Sequence, residues 1–422
     1  MQIGQTEPAI RHAMIAVGAL NERREFHSQG IGEPTRRVMV AQDPLAYRRV
    51  SFKEQTEHND PFAIMQYNKA LSHLARRMRE QPASADIVLL ATILFVCVEF
   101  LRRDDGIAMK HFAAGMNIAL VEVRNSSSGA YTQMHTVREQ MMPFFHRLEL
   151  LSMLFGNDPP YTYPINIPEA VPAAFTDLTE ARDSIVHLMN INLRFIRDVR
   201  FRRYENALTS QDHSTQKHLL ARLTQWKTAF DHLLNTQAFS VKDVRAAKVL
   251  DIHRLVSTTW VRMATSTYES DADASMPDYE TAVSLAEMLH IHTGTRELRS
   301  AYPSTFLFDM EVVSPIYLVA IKCRHPVIRR RAIALLRSSC RREGLWDSNV
   351  VASIAERVME LEEAGLSNFD GSELPAENMR IHNTLIQSGS GLISIFLQLT
   401  LYRRPVAGEP FEVWNETFIL GP

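Results

Sequence analysis

Three groups of side chains in this 422-residue chain have the type and spacing to do chemistry. Asp104 and Asp105 close the apolar stretch from Ile87 to Arg103 and set two hard oxygen ligands at its end, the donors that Mg2+ prefers. The same two residues also suit the N-cap of a helix beginning at Gly106. Asp309 and Glu311 form a second acidic pair; two positions apart, they diverge on a regular helix and meet one ion only at an irregular helix start. Capping of a helix from Val312 to Lys322 is the other reading. Arg194, Arg197, Arg200, Arg202 and Arg203 fall within ten residues, with Tyr204 next. Positions 194 and 197, or 197 and 200, share a helix face, so two guanidinium forks could close on phosphate oxygens; a solvated basic face is the alternative. Asn349, Ser353 and Glu356 come near a further metal pattern, but they read mainly as an N-cap with an exposed face.

The elements that must position these groups are helices. Ile10, Met14, Val17 and Leu20 mark one face of a first helix starting near Pro8. Residues 27 to 60 read as an exposed loop. Helices are expected at 61 to 80, 84 to 103, 105 to 123, 132 to 155, 178 to 208, 212 to 238, 241 to 270, 277 to 293, 309 to 322, 325 to 342 and 348 to 364. The proline-rich stretch 156 to 177, with Pro159, Pro160, Pro164, Pro168 and Pro172, is the candidate hinge in a single α-helical domain covering 1 to 422. The tail changes period: Leu397, Leu399 and Leu401 alternate with polar residues, and so do Phe411, Val413 and Ile419, which predicts a small β-hairpin at 395 to 420. The fold class is therefore all-α, a large helical array around a central cavity, with that hairpin appended.

Composition excludes several classes. With 46 basic and 48 acidic residues the net charge is -2, so no global field draws in nucleic acid or an anionic membrane. The longest apolar run, Ile87 to Val98, is too short to span a bilayer and reads as a buried core helix. Cys97, Cys323 and Cys340 are too few and scattered for a disulfide framework, and the N-terminus lacks the layout of a signal peptide, so a cytoplasmic location is expected. His290 and His292 face differently on a helix, which makes a metal pair there improbable, and no Gly-rich phosphate loop or serine-hydrolase elbow occurs.

Several blocks resemble the middle region of fungal Zn2Cys6 transcription regulators. They are Glu7 to Ala13, Leu89 to Leu101, Glu180 to Ser184 leading to Asn190, Phe308 to Met310 followed by Pro315, Lys322 to Arg324, Arg329 to Arg337, Glu343 to Asp347, and the closing Tyr402 to Pro405 with Trp414. In those regulators six cysteine ligands precede the block that here begins at Glu7; three dispersed cysteines cannot build such a site, so the chain is expected to be either a fragment of such a regulator or a relative that has lost DNA binding, with no contact to nucleic acid through a zinc cluster of its own. The chain also looks similar to the fungal α-humulene synthases, atypical class I sesquiterpene cyclases. That second resemblance implies a lyase that ionises farnesyl diphosphate with Mg2+ and closes it to a humulene-type hydrocarbon. In this reading Asp104, Asp105, Asp309 and Glu311 hold metal, with Asp104 and Asp105 catalytic. Arg194, Arg197, Arg200, Arg203, Lys322 and Arg324 grip the isoprenoid diphosphate, and Trp260, Met263, Leu285, Met288, Phe306 and Phe308 line the cavity. A homodimer is compatible with either resemblance. The alternative function is the regulatory domain of a zinc-cluster factor, which would act in the nucleus.

Overall fold

The computed structural model describes residues 2–27, 39–40, 60–80, 85–125, 141–154, 171–291, 305–339, 341–388, 396–404 and 408–419. It is all-α with a small β appendage, as the periodicity predicts. An N-terminal group holds α1 (Gln2–Thr6), α2 (Pro8–His27), α3 (Pro61–Glu80), α4 (Ala85–Arg102) and α5 (Asp105–Asn125). The middle holds α6 (Met142–Leu154), α7 (Leu178–Val199), α8 (Ser210–Thr236) and α9 (Val241–Met263). After a 3-10 segment (Glu269–Ser275) come α10 (Met276–Ile291), α11 (Val313–Lys322), α12 (Pro326–Ser339) and α13 (Ser348–Glu363). Most of the candidate hinge, residues 155–170, lies outside the described residues.

Helix α4 explains how the layers join. Its run ADIVLLATILFVCVEFLR is apolar nearly all round, which suits a helix packed on more than one side. Leu89, Val96 and Phe100 enter the largest core cluster, while Val88, Ala91, Phe95 and Val98 meet Ile10, Ala13 and Tyr67 of α2 and α3. A second cluster forms around Trp226, where α7 and α8 pack. Trp226 is fully buried and its indole N–H donates to Ala181 O at 3.0 Å. Among the described residues no helix is long and apolar enough to cross a membrane.

Helix starts follow local capping chemistry. Thr209 with Asp212 opens α8 and Ser240 with Asp243 opens α9, each as a reciprocal capping box. Asp177 and Asp347 cap α7 and α13 through their carboxylates. Several ends differ from the periodicity. The helix expected over 178 to 208 stops at Val199, and turns follow as far as the left-handed Asn206. The helix expected over 309 to 322 starts only at Val313, because the Glu343 carboxylate holds the backbone N–H groups of residues 311 to 313.

The C-terminal hairpin is present as β6 (Phe396–Arg403) paired antiparallel with β7 (Glu412–Ile419). It belongs to a larger sheet: β1 (Met39–Val40) pairs with β7, and β5 (Ile381–Ser388) pairs with β6. Leu399 and Leu401 are fully buried, fixing the inward face that their alternation implied. A second small sheet, unforeseen from periodicity, joins β2 (Thr305–Leu307) parallel to β3 (Arg341–Glu343), which pairs with β4 (Trp346–Asp347).

Candidate functional site

The most developed candidate site is a cleft of about 230 Å³ between α6, α7, α9 and the segment preceding α11. Helix α9 supplies its longest wall. Lys242, Arg245, Ala246, Val249, Leu250 and His253 recur at spacings of three, one, three, one and three, which is one stripe of a helix. Arg147 and Leu150 come from α6, Arg182 and Val186 from α7, each pair within one turn; Asp309, Met310 and Glu311 close the remaining side. Leu150, Val186, Val249 and Leu250 are buried, giving the cleft an apolar floor beneath a cationic rim.

Four cations face two carboxylates here. Arg147 Nε donates to Asp309 Oδ1 at 2.9 Å, and Arg245 Nη2 donates to Glu311 Oε2 at 3.0 Å. Glu311 is shared with Arg341 at 2.8 Å. These bonds hold the 309 to 311 segment against α6 and α9. His253 is buried, and burial pushes its imidazole down to about 4, so the ring is neutral near pH 7. Its Nε2–H donates to Glu311 O at 2.7 Å, while Nδ1 has no hydrogen-bond partner.

Asp309 and Glu311 thus reach a common cleft, but each is bound to arginine. Asp104 and Asp105 sit elsewhere. Asp104 Oδ1 accepts from Ile107 N at 3.0 Å at the start of α5, the capping role, and Asp105 accepts from Arg342 Nη2 at 2.7 Å. Burial raises the Asp105 carboxyl above its ordinary value, opposed by the charges of Arg342 and Arg103. Among the described residues no three His, Cys, Asp or Glu side chains gather as a metal-binding group. Asn349, Ser353 and Glu356 meet one guanidinium: Arg337 donates to Asn349 O at 3.1 Å, Ser353 Oγ at 2.6 Å and the Glu356 carboxylate.

The cations expected to grip diphosphate do not converge. Arg194 pairs with Glu149, Arg200 stacks on Phe201, and Arg203 donates to Met263 O at 2.9 Å. Arg197 lies on α7 with Arg194, whereas Arg200 and Arg203 follow the helix end, and none of them lines the cleft. Arg202 is committed to Asp198 and to Asp212 of the α8 capping box. Lys322 and Arg324 are taken by a buried ion cluster: Lys322 Nζ donates to Glu269 at 2.7 Å, and the fully buried Arg324 bonds Glu362 at 3.0 Å.

The five expected cavity residues whose side chains are described do not share one cavity either. Phe308 stacks on Phe144 at 4.8 Å and Trp260 packs between two core clusters. Leu285 packs against the main core, Met263 is half-buried beside Arg203, and Met288 is largely exposed. Phe306 lies in β2, and its side chain is outside the described residues.

Asp105→Ala should therefore act on stability. Arg342 is 5% exposed in its side chain and would keep, among the described residues, only Phe100 O as hydrogen-bond partner. A loss of about 1–3 kcal/mol is expected in urea unfolding, the usual scale for a charged hydrogen bond broken in a largely buried place. An unchanged midpoint would show that the pair contributes nothing.

Arg147, Arg182, Lys242, Arg245 and His253 were missed in the sequence. The available signal was the stripe on α9, where two cations precede Val249 and His253 on the same face.

No protein-family profile matches the chain, and no solved structure matches it. A curated relative does: the chain is 20% identical to the aspercryptin biosynthesis cluster-specific transcription regulator atnN of Emericella nidulans, over 87% of this chain and 70% of that protein. The cyclase expectation, with its lyase chemistry and farnesyl diphosphate substrate, is overturned by this finding: what the chain is similar to, along most of its length, is a transcription regulator.

Proposed function

We propose that this chain serves transcription regulation in a fungus, as the helical regulatory body of a gene-cluster regulator. The observation that carries the reading is the similarity to a cluster-specific transcription regulator along 87% of the chain. Shared length matters more than the modest identity, because a match over 87% of the chain is not confined to a local motif. The zinc-cluster kind of regulator, whose middle region the sequence blocks resemble, is the specific form we favour, with action in the nucleus. The near-balanced charge of 46 basic and 48 acidic residues supports a body that acts through contacts other than a general field toward DNA.

Deletion of the gene in its host, followed by transcript profiling, tests the proposal. Transcripts of a small linked gene set should fall together while the bulk of the transcriptome stays level, and a fluorescent fusion should collect in the nucleus. An unchanged transcriptome would defeat the reading.

A further inference from the structure

We infer that the cleft rimmed by Arg147, Arg182, Lys242 and Arg245 binds a small organic acid that carries an apolar body and a hydroxyl group. The inference deepens the regulator reading by naming an effector site and rests on that reading only for the ligand's role; binding itself stands on geometry.

The rim divides into two kinds of cation. Arg147 and Arg245 are fixed by Asp309 and Glu311, so their guanidinium groups are held in place before any ligand arrives. Lys242 is exposed and makes no ion pair among the described residues, and the one ion pair of Arg182 among them is with its neighbour Asp183, at 3.3 Å, a carboxylate that also lies 3.8 Å from Arg147. Lys242 can close on an incoming carboxylate directly, and Arg182 can do so by exchanging its partly exposed neighbour pair with Asp183 for the ligand. With four cations against two carboxylates in the lining, an anion of one or two charges brings the cleft to balance.

The floor sets the rest of the ligand. Leu150, Val186, Val249 and Leu250 offer apolar surface that a bare inorganic anion would leave unfilled. The volume of about 230 Å³ equals roughly eight liquid waters at ~30 Å³ each, room for a ring or short chain bearing a carboxylate. His253 adds polarity to this lining. Its only hydrogen atom on nitrogen is spent on Glu311 O, which leaves Nδ1 as a buried acceptor without a donor. Such an atom is costly to leave unpaired, and a ligand hydroxyl is the group that would satisfy it.

Calorimetric titration of the full chain tests the inference with three probes: 4-hydroxyphenylacetate, its neutral amide and inorganic phosphate. The acid should saturate one site and bind at least tenfold more tightly than the amide, and phosphate should not saturate. Two variants locate the site. Arg182→Ser combined with Lys242→Ser removes cations that hold no structural bond beyond Asp183, and should weaken the acid at least tenfold with an unchanged thermal melt. Ala246→Trp, at an exposed position of the lining, should fill the cleft and abolish binding. No saturation by the acid below about 5 mM, a free energy weaker than about 3 kcal/mol, overturns the inference. So does phosphate binding as tightly as the acid, or acid binding that survives Ala246→Trp. The transcript experiment above is independent: a cleft that binds nothing leaves the regulator reading standing, and an unchanged transcriptome leaves any measured binding standing.

Discussion

Arg324→Leu is expected to lower the unfolding free energy by about 3–5 kcal/mol, the scale on which a buried pair fails when one partner is removed. Arg324 is fully buried, and its guanidinium bonds Glu362 Oε1 at 3.0 Å, Glu269 Oε2 at 3.0 Å, Lys322 O at 2.9 Å and Ile381 O at 3.0 Å. Those partners come from the 3-10 segment, α11, α13 and β5, so one side chain ties the C-terminal sheet to the helical body. Burial alone would raise the Glu269 carboxyl, but the charges of Lys322 and Arg324 outweigh it and hold the group at about 2. Glu362 is likewise held below its ordinary value by Arg324 and Arg329 against the effect of burial. Leucine would leave both carboxylates in a dry site with less positive charge than they need. Arg330 offers the control, since its side chain is 41% exposed though it also pairs with a buried glutamate, Glu363, at 2.6 Å. Arg330→Ala should cost about 1 kcal/mol or less, because solvent screens its charge. Guanidinium melts of the two variants settle the matter; equal, small losses would mean that the cluster is not what fastens the sheet.

Much of the fold was legible because local rules and tertiary packing agreed. The near-continuous apolar run of α4, the Thr209 and Ser240 caps and the alternation of Leu397, Leu399 and Leu401 each announce their element without help from distant residues. Strand β3 announces nothing. Its residues Arg341, Arg342 and Glu343 are charged, yet Arg342 and Glu343 are buried, because their partners Asp105, Glu311 and the start of α11 lie far away in sequence. The same distance misled the reading of chemistry. Asp105 looks like a free hard ligand until Arg342, 237 positions away, is folded onto it. The cleft was hidden for the converse reason: its wall draws from positions 147 to 311, and only the stripe on α9 is local enough to be seen.

That packing bears on how a ligand at the cleft could be communicated. The 309 to 311 segment touches the cleft on one side and leads directly into α11, whose last residue, Lys322, enters the buried ion cluster. An acid competing with Asp309 or Glu311 for Arg147 or Arg245 would loosen that segment. Helix α11 shares the main core with α12, α13 and the C-terminal sheet.

Stability that Glu343 confers should fall by about 3 kcal/mol as pH rises from below 4.5 to above 7. The Glu343 carboxyl is fully buried, with no cation bonded to it among the described residues, and burial pushes it up to about 7 although three backbone N–H groups oppose the shift. A folded value above the unfolded 4.5 means that the native state holds its proton more tightly, so the contribution is whole below 4.5 and lost as pH passes 7. At 1.36 kcal/mol per unit, the difference gives the quoted scale. Three histidines, the buried His253 and the half-buried His146 and His187, run the other way. His146, His187 and His253 are each pushed down to about 4 by burial, so the stability they confer is present above 6.5 and lost as pH falls through 4. The whole-protein curve mixes the two trends, and the readout must isolate one group. Glu343→Gln removes the titration and keeps the shape. Its amide presents N–H toward backbone N–H, so the variant should be less stable than the native chain by about 1–3 kcal/mol at pH 5. That native advantage should shrink steadily toward pH 8 in urea unfolding. Parallel curves across this range would show that Glu343 titrates at the same pH folded and unfolded, and that the segment leading into α11 is held by an ordinary carboxylate cap.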